Sequence, residues 1–218
     1  WDVLNTQKVM KTIYFIPLAP LIGFAIGFVL MLGLYWSFRR VRPKTVDSIF
    51  RRGQLLSAAL YSIGHGANDA QKTMGVIVAL LLAAGHLQPG VHLSMTNPET
   101  AWIVISCNVA MAVGTAFGGW RIVRTMGMKI TKLRNAGGFC ANSAGAATLF
   151  FASYSGIPVS TTHTITGSII GVGATTKLSG IKWGVATRIV WAWLLTIPFA
   201  ALVGAGCFYA FQYLHGGF

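Results

Sequence analysis

The chain of 218 residues is 54% hydrophobic and only 10% charged, with a mean hydropathy of +0.63; a soluble domain carries about 25% charged residues. Residues 12–38, 100–120, 135–176 and 189–218 hold no Asp, Glu, Lys or Arg, and about 20 apolar residues suffice to cross about 30 Å of hydrocarbon, which excludes an ordinary soluble domain. The net charge of +13 lies between those runs, in RRVRPKTVDSIFRR (39–52) and RIVRTMGMKITKLR (121–134), so it reads as the Lys/Arg excess of cytoplasmic membrane-protein loops and not as a nucleic-acid surface.

The first run, TIYFIPLAPLIGFAIGFVLMLGLYWSF (12–38), is predicted to be one long span ending on the cytoplasmic side at Arg39 and Arg40. Pro17 and Pro20 fall in its first turns, where proline is tolerated. The six Lys and Arg of 39–52 outweigh Lys8 and Lys11 at the other end in setting this orientation. Residues 53–85, taken as helix, would run about 50 Å at 1.5 Å per residue, too long for one unbroken span. The excess is read as an interfacial first turn or two plus a break at Gly64–Gly66. GHLQPGVHLSMTNPE (85–99) has no Lys or Arg and carries Glu99, so it is placed outside. Residues 100–120 return to the second basic cluster.

The 42 residues of 135–176 carry no formal charge, with Arg134 before them and Lys177 and Lys182 after. Both ends read as cytoplasmic, so the segment must enter and come back. Its arms are short for full spans, and a re-entrant hairpin with SGIPVSTTH near its tip is the preferred reading over two tight spans. Residues 183–213 form a last span with Pro198 as a kink. Glycine patterns such as GFAIG and GSIIGVG allow close helix approach. Cys107, Cys140 and Cys207 lie in apolar runs without metal-ligand spacing and read as small packed hydrophobes, not a disulfide framework. Trp1 stands where a start Met would be, as in a piece of a longer polypeptide. The fold class is all-α and integral to the membrane.

Two polar interruptions stand out, GHGAND (64–69) and GIPVSTTH (156–163). Irregular backbone at membrane depth must be buried in protein or line a wet cavity, and paired broken segments near the midplane point to a transporter site. After Pro158, the residues Ser160, Thr161 and Thr162 stand where a helix begins. Free N–H groups, the positive end of the helix dipole and hydroxyl donors there suit an oxyanion such as phosphate. In GANDAQKTMG, Asn68 and Asp69 are expected at a helix N-terminus, with Lys72 and Thr73 one turn on; this spacing places Asp69 and Lys72 on one face. An ionisable residue in a membrane segment is costly and functional by default. Ser/Thr runs at helix starts also serve as plain N-caps, and His65 and His163 beside the interruptions also suit structural hydrogen bonding. His86, His92 and His215 carry no signal.

A carboxylate in an anion site repels phosphate unless it is protonated or binds a cation, and either condition makes it a coupling device. The Lys72 ammonium can stand where a metal ion would otherwise be needed.

GHGANDAQKTMG and GIPVSTTHTITGSIIGVG resemble the two hallmark segments of the inorganic phosphate transporter (PiT) family, in order, and the likeness extends over essentially the whole chain. The resemblance implies two inverted-topology halves, each with one copy of both motifs; with one copy of each, this chain resembles the C-terminal half. It implies secondary transport of inorganic phosphate with H+ or Na+ by alternating access in the inner (cell) membrane of a bacterium, with no cofactor. Carried over position by position, Asn68, Asp69, Ser160, Thr161 and Thr162 match the phosphate-ligand positions, and Asp69 and Lys72 handle the coupling charge. His65, Thr73 and His163 stand beside them in support. AQK (70–72) departs from the common VAN, and Lys72 in place of a neutral amide favours proton coupling over Na+. The partners implied are phosphate, a coupling cation, membrane lipid and the other repeat; half of a pseudo-symmetric transporter should expose an apolar interface, so an isolated half is expected to self-associate, a homo-oligomer being one form, or to need the missing half. Sulfate and a metal-phosphate complex are the rival substrates. A membrane-embedded lipid phosphatase is the enzyme rival, but it needs an acid–base constellation, and no Asp or Glu follows Glu99.

Overall fold

The computed structural model describes residues 5–214; His215 lies outside them. Among the described residues the chain is helical and free of strands. In order come α1 (Thr6–Phe38), α2 (Pro43–Ala83), α3 (Pro98–Arg124), α4 (Asn135–Tyr154), α5 (Thr161–Ala174) and α6 (Trp183–Leu214). A π-helical turn, Thr125–Lys129, extends α3, and a 3-10 turn, Leu178–Gly180, follows α5. Thr6–Phe38, Pro98–Lys129 and Trp183–Leu214 are long and apolar enough to cross a membrane. The chain divides into two compact units, one ending at Ile181 and the other beginning at Lys182. The second is built on α6, whose Trp191, Leu194 and Phe199 are exposed apolar side chains.

Helix α1 starts earlier than the apolar run suggests. Asn5 accepts from the Lys8 N–H at 3.1 Å and caps a helix that takes in Lys8 and Lys11. Pro17 and Pro20 therefore lie inside the helix instead of in its first turn, which corrects the sequence reading. Each removes one N–H from the i→i−4 ladder, and for Pro20 the bereft acceptor is the carbonyl of Ile16.

The basic stretch 39–52 is mostly helix, not loop. Arg42 is extended (φ −59°, ψ 135°) ahead of Pro43 at the first position of α2, the backbone a pre-proline residue favours and the site where proline costs least. Likewise, 121–134 begins in α3 and its π-helical turn. The expected break at Gly64–Gly66 does not occur: α2 runs unbroken for 41 residues, about 60 Å at 1.5 Å per residue. A glycine costs a helix only about 1 kcal/mol, whereas an unpaired peptide group in lipid costs several, so the backbone stays helical. Buried Gly64 instead faces α4, where an added Cβ would lie 3.5 Å from Leu149 Cβ. Helix α2 ends at Gly85 (φ 72°), with His86 N–H donating to Leu81 C=O at 2.9 Å and Gly85 N–H to Leu82 C=O at 3.2 Å. This paired closure needs a left-handed residue.

The same device turns the charge-free segment into a helical hairpin. Gly156 (φ 63°) follows α4, Ile157 N–H donates to Ala152 C=O at 2.9 Å, and Gly156 N–H donates to Ser153 C=O at 3.1 Å. Pro158 then prevents the helix from resuming, and Ser160 caps α5 by accepting from His163 N–H at 3.4 Å. The hairpin with SGIPVSTTH at its tip is therefore present, with arms of 20 and 14 residues.

Helix α5 lies along α1 through reciprocal small-residue steps. A Cβ on Gly167 or Gly171 would collide with the Pro20 or Phe24 carbonyl, and a Cβ on Gly23 or Gly27 would come within 2.6 Å of the Thr164 or Ser168 carbonyl. These are the GFAIG and GSIIG patterns, and they bring the two backbones together as such motifs do in membranes. Ala19 of α1, Leu149 and Ala152 of α4, and Val159 at the tip form one buried cluster, with Tyr61 packed against it. The hairpin tip is thus embedded between α1 and α2. A second cluster joins Ala70 and Met74 of α2 to Leu87, Ile103 and Cys107. Cys107 and Cys140 are buried as expected; Cys207 is exposed, contrary to the packed role read for it, and all three are free thiols.

Candidate functional site

The polar groups of α2 that matter recur at helical spacing, Tyr61, His65, Asn68, Asp69 and Lys72, and so share one face. The packing of α2 on α4 turns that face toward the hairpin tip. Asp69 sits at the centre with both oxygens engaged. Its Oδ1 accepts from Lys72 Nζ at 2.8 Å and from Asn68 Nδ2 at 3.2 Å. Its Oδ2 lies 3.0 Å from His65 Nε2 and accepts from Thr161 Oγ1 at 3.1 Å. The carboxylate is 22% exposed and Lys72 45%, so the pair is neither dry nor fully solvated.

Val159 supplies the other half of the latch. It precedes the Ser160 cap, outside any helix, so its carbonyl has no intrahelical donor. Asn68 Nδ2 donates to it at 3.0 Å and Lys72 Nζ at 2.9 Å. Tyr61 OH donates to the Thr161 carbonyl at 3.4 Å. Two segments about ninety residues apart are thereby joined by four polar contacts, and His65 steadies the shared carboxylate from within α2.

The site residues anticipated from sequence distribute unevenly. Asn68, Asp69, Lys72, His65 and Thr161 meet in the cluster. Asn68 and Asp69 do so from mid-helix, not from the helix N-terminus expected of them. Ser160 acts as the N-cap of α5, and its carbonyl accepts from Thr164 Oγ1 at 3.0 Å. Thr162 is half-buried beside the cap, with its carbonyl taking the Thr166 hydroxyl at 2.7 Å. Thr73 is exposed and takes no part in the network. His163 reaches α1: its Nδ1 lies 3.5 Å from the Ile16 oxygen, the acceptor whose i+4 backbone donor Pro20 removes.

Sequence reading missed Tyr61 and Val159. Tyr61 lay one turn before His65 on the same face, and extending the i, i+4 spacing backward from Asp69 finds it. A backbone carbonyl such as that of Val159 leaves no side-chain signature to find.

The arrangement has unspent hydrogen-bonding capacity. Lys72 has three donors and uses two. The backbone N–H groups of Thr161 and Thr162 open α5 without a partner among the described residues. A cleft of about 210 Å³ opens alongside, lined by Asn68, Gln71 and Lys72 of α2 and by Ser153, Gly156 and Pro158 of the hairpin. A cation, a helix N-terminus and hydroxyls near a carboxylate already paired with Lys72 are chemistry suited to an oxyanion with a compensating positive charge. Among the described residues, no group of three or more His, Cys, Asp or Glu side chains is placed to hold a metal ion.

An all-helical membrane fold with a hairpin latched onto a charged cluster defines the class: a polytopic membrane protein organised around a polar site. The chain belongs to the phosphate transporter family, whose profile matches residues 1–204. It is 53% identical to a probable low-affinity inorganic phosphate transporter of Rhizobium meliloti, over 94% of this chain and 59% of that protein. It is 41% identical to a probable low-affinity inorganic phosphate transporter of Bacillus subtilis, over 93% of this chain and 59% of that protein. The chain thus spans 59% of the length of these relatives. In fold it is similar to a solved structure of a sodium-dependent phosphate transporter, with a TM-score of 0.67 and 24% identity over 94% of this chain and 58% of that one. The relatives that the chain matches are named as transporters.

Proposed function

We propose that this chain forms one repeat of a secondary transporter that carries inorganic phosphate across the cell membrane, by alternating access and in company with a proton. The observation that supports the reading most directly is the latch: Asp69 and Lys72 of α2 hold the N-terminal end of α5 through Thr161 and Val159. Phosphate cannot enter lipid with its charge uncompensated. Here it would accept from the free N–H groups of Thr161 and Thr162, from the Thr162 hydroxyl and from the third donor of Lys72. Asp69, already carrying Lys72, receives a proton as the anion arrives, and the local charge stays balanced. Protonation removes the charge that strengthens the Thr161 and Lys72 contacts, which loosens the hairpin tip from α2. Loosening and re-forming that latch is the event that couples cargo to a change of access.

A Na+-coupled reading has one specific support: the solved structure similar in fold is that of a sodium-dependent phosphate transporter. Against it, the Lys72 ammonium lies 2.8 Å from Asp69, where a cation would bind. The exposed apolar side chains of α1, α3 and α6 are to be covered by lipid and by the remaining repeat.

Radiolabelled phosphate uptake into vesicles holding the full-length gene product, with pH and Na+ gradients imposed separately, tests the reading. Uptake on the pH gradient alone is expected. Uptake that requires Na+ replaces the proton with a metal ion at Asp69 despite Lys72. Absence of uptake under both gradients, with sulfate or a metal-phosphate complex carried instead, overturns the substrate.

A further inference from the structure

A cavity larger than the cleft beside the latch lies at the other end of the hairpin. It encloses about 570 Å³ where the C-terminal end of α1, the start of α2, the start of α4 and the end of α5 converge. Its walls are of two kinds. Met31, Leu34 and Phe38 of α1 and Val172 of α5 form an apolar side. Arg39, Lys132 and Arg134 supply three cations at the other, against one acid, Asp47, whose Oδ1 accepts from Asn135 Nδ2 at 3.0 Å. Ala136 and Gly137 at the open N-terminal turn of α4 also face it, and no side chain caps that turn. Thr131 lines the same space at only 8% exposure, and its hydroxyl takes no hydrogen-bond partner among the described residues.

We infer that this cavity is a binding site for an anionic phospholipid, with the headgroup phosphate among Arg39, Lys132, Arg134 and the α4 N-terminus and the first acyl methylenes along Met31, Leu34 and Phe38. The charge complement calls for an anion. The size and the apolar wall call for one with a hydrocarbon part, because a bare oxyanion would fill a small part of the space and leave the wall wet. The depth also fits. Arg39 sits 5.7 Å from the centroid of the Trp36 ring, Trp36 is 72% exposed and Tyr35 43%, and Trp and Tyr gather at the headgroup level of a bilayer. Basic pockets between membrane helices are suited to anionic headgroups. The site holds Leu133 and Gly137 at the entry to α4, so an occupied cavity braces the hairpin at the end opposite its tip. This inference does not depend on which solute or coupling ion the latch handles.

Native mass spectrometry of the full-length gene product in detergent, with phosphatidylglycerol, phosphatidylcholine and inorganic phosphate supplied separately and in competition, tests it. Phosphatidylglycerol is expected to be retained over phosphatidylcholine and not to be displaced by millimolar inorganic phosphate. Lys132→Gln/Arg134→Gln should weaken retention about five-fold for each cation removed, the scale of one Lys or Arg at an anionic membrane surface. Arg51→Gln/Arg52→Gln, which removes two exposed cations of α2 outside the cavity, should change nothing. Equal loss in both double variants makes the attraction diffuse and overturns the site; displacement by inorganic phosphate gives the cavity to the free anion and overturns the lipid. Should the first double variant elute as aggregate, Arg39→Gln gives the same readout from another element, and unchanged retention there overturns the proposal.

Discussion

Thr161 and Asp69 stand 92 residues apart in the chain and 3.1 Å apart in space, hydroxyl to carboxylate. That bond spans the two polar interruptions of an otherwise apolar sequence, and it ties the start of α5 to the middle of α2. Its acceptor is also the acceptor of Lys72, Asn68 and His65, so whatever changes the charge on Asp69 is felt at the hairpin tip.

Asp69→Asn keeps the shape and removes the charge. The amide presents N–H donors to a site whose neighbours are themselves donors, so at least one contact is lost to donor–donor opposition. Coupled phosphate uptake in vesicles should fall to background, while membrane insertion, measured by the yield of monodisperse protein, stays at the parent level. Normal uptake by the variant would remove Asp69 from the coupling role.

Thr161→Val replaces one hydroxyl by a methyl of similar volume. Once Asp69 takes its proton, the Thr161 hydroxyl is released to donate to phosphate; an acceptor left short of that donor costs about 1–3 kcal/mol, so phosphate affinity measured by equilibrium binding should weaken about five- to 150-fold. Unchanged affinity would reduce the Ser-Thr-Thr run to a helix cap.

Lys72→Gln separates the proton reading from the sodium reading. With the ammonium gone, the carboxylate loses its 2.8 Å ion pair and becomes free to take a metal ion. Uptake on a pH gradient should drop, and any residual uptake should become Na+-stimulated. A variant that stays driven by the pH gradient alone would show that Lys72 is not the built-in cation.

The helix seam offers a paired stability test. Gly167→Ala drives a methyl into the Pro20 carbonyl, while Gly33→Ala meets nothing within 4 Å. The first should lower the thermal midpoint of the detergent-solubilised protein, because two packed backbones must separate. The second should leave it unchanged or raise it slightly, since alanine favours a helix over glycine by about 1 kcal/mol.

Pro20 and His163 should be energetically coupled. Pro20→Ala returns a donor to the Ile16 carbonyl, so His163→Phe ought to be less harmful in that background than in the parent. A double-mutant cycle on thermal stability should give a coupling of about 0.5–3 kcal/mol; strict additivity would dissociate the histidine from the proline.

The sequence alone determined the environment, the hairpin and most of the site. Uncharged runs of membrane length leave no other solvent for the chain. Gly156 and Pro158, flanked by short uncharged arms between basic residues, favoured a hairpin over two tight spans for 135–176. Asp69 and Lys72 were conspicuous because charge in such a setting is expensive. Only the tertiary structure decided how α2 behaves and what the latch is made of. Gly64 and Gly66 look like a break by local propensity, but the cost of an unpaired peptide group in lipid outweighs that of a helical glycine, and the contact of Gly64 with Leu149 exists only once α4 packs there. Val159 became an acceptor for Lys72 because the tip is folded against α2, and His163 turned to Ile16 because Pro20, in the interior of a helix longer than the apolar run suggested, had vacated that carbonyl. These are non-local consequences of which helix faces which, and a linear pattern of residue types does not encode them.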